Sequence, residues 1–272
     1  DENTLFPCAR GFNYRGLHVG CHPHGAPTNL VQALCTSCNS YFCWGLFRMI
    51  GNRQHYRSVQ EAMNTWRDYM VSMGLPGEKR GLIPNAAFYD KAYKGSWNGL
   101  TIISISIGQG EVNLTPLQIA NLSATIANRG YYYVPHVVRK VQGEPLDTLY
   151  RRRHYTMANR KAYEYVVQGM RASVVGGTCH AANRADYLVC GKTGTAQNRG
   201  QDHSVFMGFA PMDNPKIAIA VYVENGGFGA TYGVPIGSLM MEQYINGKLS
   251  PASEAQASVY QSRRIAYGKS NR

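Results

Sequence analysis

The 272 residues predict a mixed α/β (α+β) protein, with an antiparallel sheet flanked by helices. Three features carry that prediction. A β-prone run at 187–190 leads into Gly191-Lys192-Thr193-Gly194-Thr195-Ala196-Gln197, and strand-like runs follow at 204–210 and 217–223. Residues 58–73 and 115–129 show helical spacing of apolar side chains with capping residues in place. Gly- and Pro-rich stretches separate these segments.

Residues 1–27 are rich in Gly, Pro, Cys and His and read as irregular. Residues 28–47 predict one or two helices, broken near 37–40. Ser58, with Glu61 three residues on, forms a capping box for the next helix. Val59, Ala62, Met63, Trp66, Met70 and Met73 form its core stripe, and Gly74 ends it. Residues 74–110 are turn-rich. Thr115 caps a helix with Pro116 in its first position, and Gly130 stops it. The apolar residues of that helix cover much of its circumference, which predicts burial on most sides. Residues 134–141 read as a strand and 156–174 as a helix, broken by Gly176-Gly177-Thr178. Alternation in 204–210 suits an edge strand, and the near-continuous apolar run 217–223 suits the middle of the sheet. Residues 225–229 form a Gly-rich loop with no Lys-Ser/Thr after it, so it is no phosphate cradle. Residues 237–245 predict a last helix, and the tail beyond 247 is expected to be disordered.

Lys192-Thr193-Gly194 at a strand end offers a cation, hydroxyl donors and unobstructed backbone, which is equipment for gripping an extended substrate that carries a carboxylate. Its companion is Ser37-Cys38-Asn39, at the end of the first helical run. Around these stand Ile107-Gly108-Gln109-Gly110, Leu114-Thr115-Pro116-Leu117, Phe209-Ala210-Pro211 and Glu224-Asn225-Gly226-Gly227. As a set, from about residue 23 to 245, they resemble the transpeptidase domain of class B penicillin-binding proteins, most closely the elongation type.

The resemblance implies the penicillin-binding, serine β-lactamase-like fold, a central antiparallel sheet with helices plus an all-helical part. It assigns residues 1–250 to the C-terminal portion of that domain and 251–272 to a tail. The implied reaction is acyl transfer at a D-Ala-D-Ala bond during peptidoglycan cross-linking in cell elongation, with β-lactams as mimics. Lys192 then holds positive potential and assists proton movement. Thr193 and Thr195 bind the substrate carboxylate, and the Thr195 N–H forms half of the oxyanion hole. Gly194 keeps the strand clear. Ser37 relays protons, and Asn39 bonds the substrate amide and the lysine of the nucleophile motif. That motif, Ser-x-x-Lys, is expected before Ser37, but no Lys of the chain has a Ser three residues earlier. The nucleophile is therefore expected upstream of Asp1, and these 272 residues alone are expected to be inactive. The alternative is a non-catalytic, penicillin-recognising sensor or scaffold. Stem peptides, lipid-linked precursor and a RodA-type membrane glycosyltransferase are the implied partners. The implied location is the periplasmic face of the inner membrane, with an anchor outside this sequence.

A hydrophobic share of 44% and a charged share of 16% suit a globular core, and no apolar run is long enough to span a bilayer. The net charge of +12 is spread along the chain, apart from Arg151-Arg152-Arg153, and no nucleic-acid motif accompanies it. His203, opening a strand near Lys-Thr-Gly, reads as a residue that shapes the cleft. Seven cysteines form no regular framework. Cys8, Cys21, His24 and Cys38 are the candidate ligands of a structural zinc in a loop-rich segment, with disulfides or buried thiols as the alternatives. Cys38, the middle residue of Ser-x-Asn, is expected to point away from the cleft. Transpeptidation itself needs no cofactor.

Overall fold

The computed structural model describes residues 1–77 and 81–265. In chain order, its elements begin with hairpin strands β1 (Gly11–Tyr14) and β2 (Leu17–Gly20), then helices α1 (Leu30–Thr36), α2 (Asn39–Ile50), α3 (Val59–Ser72), α4 (Ala86–Ala92) and α5 (Pro116–Ala127). Short strands β3 (Tyr131–Tyr132) and β4 (His154–Tyr155) flank α6 (Thr148–Arg151), and α7 (Arg160–Gly176) follows. Strands β5 (Cys190–Ala196), β6 (His203–Ala210) and β7 (Ile217–Val223) then lead to α8 (Gly233–Asn246) and α9 (Pro251–Ser262). The helix starts follow capping chemistry. Asn29 and Thr115 each form a complete capping box, with Gln32 and Gln118, and Ser58 accepts from the Glu61 N–H.

The chain divides into two compact units. One comprises residues 1–5, 27–38 and 165–272, the other 6–26 and 39–164. In the first, β5, β6 and β7 form an antiparallel sheet in that order, with Lys192 opposite Met207 and Thr195 opposite Ser204. Its core gathers Val174, Tyr187, Val189, Phe206, Ile219, Val221, Val234 and Met241, so the sheet and α8 share one apolar layer. α1 belongs to this unit. The Thr178 N–H donates to the Cys35 carbonyl, and a Cβ at Gly177 would lie 2.1 Å from that oxygen, so only glycine lets the end of α7 approach α1 this closely.

In the second unit Leu46, Ile50, Met63, Tyr89, Trp97, Ile102 and Ile105 form a helical core, and Phe12 of the hairpin packs on Trp44. Tyr89 is fully buried but its hydroxyl reaches Glu111 at 3.0 Å, and Trp97 donates to Asp90 at 2.6 Å. Both aromatic polar ends are thereby satisfied.

Several expectations change. Residues 11–20, read as irregular, form the β1–β2 hairpin through tight pairing at a four-residue turn. β6 is the middle strand and β7 lies outside it, the reverse of the expected order. Two short connections in succession pair neighbours in sequence, and the second of three strands then takes the centre. The strand expected at 134–141 is absent from the described residues, where β3 pairs with β4 instead. α5 buries Asn121, Ser123, Thr125, Ile126 and Ala127, while Leu117 is exposed, so its buried face is largely polar and lies toward its C-terminal end. α7 starts four residues later than expected and α8 four earlier.

The expected disordered tail is also corrected: Pro251–Ser262 is helix α9, and only residues 266–272 of it lie outside the described residues. Ser250 caps α9, and Glu242 on α8 holds its start. The buried Glu242 carboxylate accepts from the Ser250 N–H, the Ser253 hydroxyl and Arg184. Burial pushes this carboxyl up, but the three hydrogen bonds outweigh it and hold its pKa below the ordinary range. Its stabilisation is therefore present at neutral pH and lost as pH falls through the native pKa. Glu242→Ala should cost about 2–4 kcal/mol of unfolding free energy. Hydrogen exchange should show the amides of α9 losing protection first, and urea titrations should show a smaller loss of stability below about pH 4 than in the parent. Unchanged α9 protection would contradict this anchoring.

Candidate functional site

In the first unit, α1 ends at Ser37, whose φ of 57° is left-handed and costs a non-glycine residue about 1–2 kcal/mol. The N–H groups of Ser37 and Cys38 both return to the Ala33 carbonyl and hold this conformation. The Ser37 hydroxyl accepts from the Lys192 ammonium at 2.6 Å. Lys192 also donates to the Thr193 carbonyl at 2.9 Å. Two residues 155 positions apart thus close into one hydrogen-bonded pair.

Enclosure of the Lys192 ammonium lowers its pKa to about 8, opposed by the nearby Cys179 thiol. Cys179 is itself buried, and burial pushes its thiol up, against hydrogen bonding from Ser173 and the field of Lys192. A lysine poised near 8 can both hold and release a proton close to neutral pH.

Thr193 shares a hydrogen bond of 2.8 Å with the Thr178 hydroxyl, which in turn meets Ser173 at 3.3 Å. Thr195 accepts from the Gly229 N–H at 3.4 Å. A Cβ at Gly229 would lie 2.6 Å from the Gly194 and Val205 carbonyl oxygens and 3.0 Å from the Thr193 Cβ, so the Gly-rich loop lies directly on the Lys-Thr-Gly strand. Ser204 fixes that loop by donating to the Phe228 carbonyl. The Cβ position of Gly194 faces Val205 at 3.2 Å. His203 accepts from the Asn225 N–H and ties the base of the loop. Among the described residues β5 pairs only with β6, so its other edge can take an added strand.

Thr178, Cys179 and Gly229 escaped the reading of the sequence. Gly176-Gly177-Thr178 looked only like a helix stop. The adjacency of a small hydroxyl to that stop was the one signal available.

Asn39, in the second unit, opens α2, and its carboxamide donates to the Gly20 carbonyl at 2.8 Å. Next to it, the Ser40 hydroxyl donates to the Pro7 carbonyl at 2.7 Å. These two bonds hold the chain beside Cys21 and Cys8. Cys8, Cys21 and His24 bring two sulfurs and a ring nitrogen within 4.8 Å of one another. His24 Nδ1 meets the Gly25 carbonyl at 2.7 Å, which turns Nε2 toward the Cys21 sulfur, 3.5 Å away. Cys38 is buried and directly precedes Asn39. No disulfide joins any of the seven cysteines. Two thiols and an oriented imidazole are the donor chemistry that zinc takes.

Residues 1–242 match the penicillin binding protein transpeptidase domain. The chain is 34% identical to the peptidoglycan D,D-transpeptidase MrdA of Acinetobacter baumannii, over 76% of the chain and 33% of that protein. It is 28% identical to MrdA of Haemophilus influenzae, over 89% and 40%. The chain thus spans a third to two fifths of the length of these relatives. Among solved structures, Pseudomonas aeruginosa PBP2 in complex with WCK 5153 superposes with a TM-score of 0.75 at 26% identity, over 92% of this chain and 56% of that one. A peptidoglycan synthase complex, described for its coordination of polymerization and crosslinking, gives 0.71 at 26% identity, over 92% and 43%.

Because the Lys192 pKa is lowered, the unfolded chain holds a proton that the native state has lost between about pH 8 and pH 10.5. Native stability should therefore rise with pH across that window and fall as pH drops through 8. Denaturant unfolding of Lys192→Met should lack this slope relative to the parent. Carbon-13 spectra of labelled lysine should show one side chain with a midpoint near 8. If every lysine titrates above 10, the enclosure of this ammonium is wrong.

Proposed function

The chain belongs to the penicillin-binding protein transpeptidase family, and from that premise we propose that it grips the D-Ala-D-Ala end of a peptidoglycan stem peptide for D,D-transpeptidation. The carrying observation is the Lys192–Ser37 hydrogen bond beside an open strand edge with two threonine hydroxyls. The peptide adds to the edge of β5, and its carboxylate takes hydrogen bonds from Thr193 and Thr195 in the field of Lys192. A serine from a Ser-x-x-Lys motif gives its hydroxyl proton to the lysine of that motif and attacks the carbonyl, the C–N bond breaks, and D-Ala leaves as an amine. That amine takes its proton through Ser37, which Lys192 holds in place and resupplies. The Thr195 N–H and the N–H of the nucleophile stabilise the oxyanion. An amine from a second stem peptide then receives the acyl group. Thr178 acts one step back, fixing the Thr193 hydroxyl.

The nucleophile is not among these 272 residues, so the reaction belongs to a chain that also carries it. The reading extends to β-lactams as acylating mimics, to lipid-linked precursor as the source of stem peptides, and to a RodA-type polymerase as partner. The similarity to a synthase complex that couples polymerization to crosslinking supports the last of these. A peptidoglycan substrate supports the periplasmic face of the inner membrane as the place of action. No described helix is long and apolar enough to cross a membrane. The lack of Ser-x-x-Lys in these residues favours one second reading, a sensor or scaffold that binds without turnover. The codons upstream of Asp1 separate the two: Ser-x-x-Lys supports the enzyme, any other pair the sensor.

We also propose that Cys8, Cys21, His24 and Cys38 hold a structural zinc. Cys38 enters as the fourth donor on its place in the sequence, one residue before α2. Bound zinc would supply folding energy to a loop-rich segment and take no part in acyl transfer.

Three experiments test these readings. An N-acyl-D-Ala-D-Ala peptide should bind the chain saturably in NMR titrations, and Thr193→Val should weaken it about tenfold or more. Fluorescent penicillin should leave no covalent adduct by mass spectrometry, and a stoichiometric adduct would place a nucleophile within these residues and overturn the assignment. For the metal, elemental analysis should find one zinc per chain, less in Cys21→Ser, and chelation should lower the thermal midpoint. Zinc-free protein with paired cysteines would end that proposal.

A further inference from the structure

The second unit holds a cavity of about 250 Å³ that none of the chemistry above uses. It lies where the turn after β1, the C-terminal end of α2 and the turn at residues 98–100 converge. Its floor is apolar, made by Phe47, Ile50 and Leu100. Its rim is cationic. Arg15 stands over the Tyr14 ring at 5.4 Å, and that ring packs on Phe47 at 4.9 Å. Arg53 lines the cavity and makes one donation to the Ile50 carbonyl at 3.0 Å, which covers a carbonyl at the end of α2 and uses one of its five N–H donors. Asn98 accepts from the Leu100 N–H at 2.8 Å, so its oxygen is occupied and its NH₂ is what it can offer. Every polar side chain on this rim presents hydrogens, and no carboxylate lines the cavity among the described residues.

We propose that this cavity binds a small amphiphilic carboxylate, its chain on the Phe47–Ile50–Leu100 floor and its head between Arg15 and Arg53. The volume equals about eight water molecules' share of the liquid, which suits an alkyl chain of medium length. A carboxylate matches the planar fork of arginine in two parallel hydrogen bonds, and the apolar side chains beside it take the alkyl chain. The inference does not depend on the transpeptidase reading, and either can fail without the other.

Calorimetry and NMR titration of the 272-residue chain with sodium octanoate, below its micellar concentration, test the site. Octanoate should bind one site saturably, with a dissociation constant of about a millimolar or tighter. Octanol, which has the tail without the charge, and acetate, which has the charge without the tail, should each bind at least about tenfold more weakly. The Arg15→Gln/Arg53→Gln double variant changes two exposed side chains, and circular dichroism confirms its fold. It should bind octanoate and octanol alike. Octanoate binding that fails to saturate, that octanol equals in the parent, or that survives unchanged in the double variant overturns the proposal.

Discussion

The cost of enclosing one ammonium group governs the first unit. Lysine is among the residues least tolerant of burial, and a desolvated ammonium persists only where acceptors surround it or where it sheds its proton. Lys192 does part of each, with the Ser37 hydroxyl and the Thr193 carbonyl as acceptors and a pKa drawn down to about 8. Much of the surrounding structure places these acceptors. Gly177 admits the Cys35 carbonyl, which fixes the end of α1, and the return bonds to Ala33 force Ser37 into its left-handed conformation. The strain at Ser37 is small beside the cost of an unpartnered ammonium, so the direction of the trade is clear.

The Lys-Thr-Gly strand is braced from behind in the same way. A threonine hydroxyl rotates unless something fixes it, and a carboxylate-binding hydroxyl that must first be ordered binds less well. Thr178 orders Thr193, and the loop carrying Gly229 orders Thr195. That loop is held in turn by Ser204 and His203 on β6, the strand paired with β5. β5 is thus braced through β6 and the loop on it, while no strand pairs with its other edge among the described residues.

The residues proposed for acyl transfer stand out in the sequence, because that chemistry demands particular residue types at short spacing. Ser37, Lys192 and Thr193 could be named from motifs alone, and the 2.6 Å bond joins two of them. Thr178 was not legible. It works through one long-range hydroxyl contact, and nothing in local composition marks which threonine will make it. Helices with side-chain N-caps were readable to within a residue or two at their starts, since caps are local chemistry, although at α3 the Glu61 carboxylate takes the Arg57 N–H and the capping box expected there is only half formed. Strand order was not, because hydrophobicity reports burial, whereas connection length decides neighbours. Tyr222 in the strongly apolar β7 is exposed, so a continuous apolar run did not mean two covered faces. α9 was hidden by its polar composition, and its anchor is a single buried carboxylate on another helix.

The second unit ties its own chemistry to the same motif from the other side of Cys38. Asn39 and Ser40, the first residues of α2, hold the carbonyls of Gly20 and Pro7, which are the backbone neighbours of Cys21 and Cys8. The sulfurs of those cysteines and the oriented His24 ring form one cluster. Thiolates held this close repel one another unless a cation or protons intervene, so the charge state of the cluster bears on how firmly the loop between β2 and α1 keeps its shape. Asn39 is bonded to that loop through the residue next to Cys21. Whatever occupies the cluster therefore reaches the start of α2 through two hydrogen bonds, and a metal there would act on Asn39 as a brace.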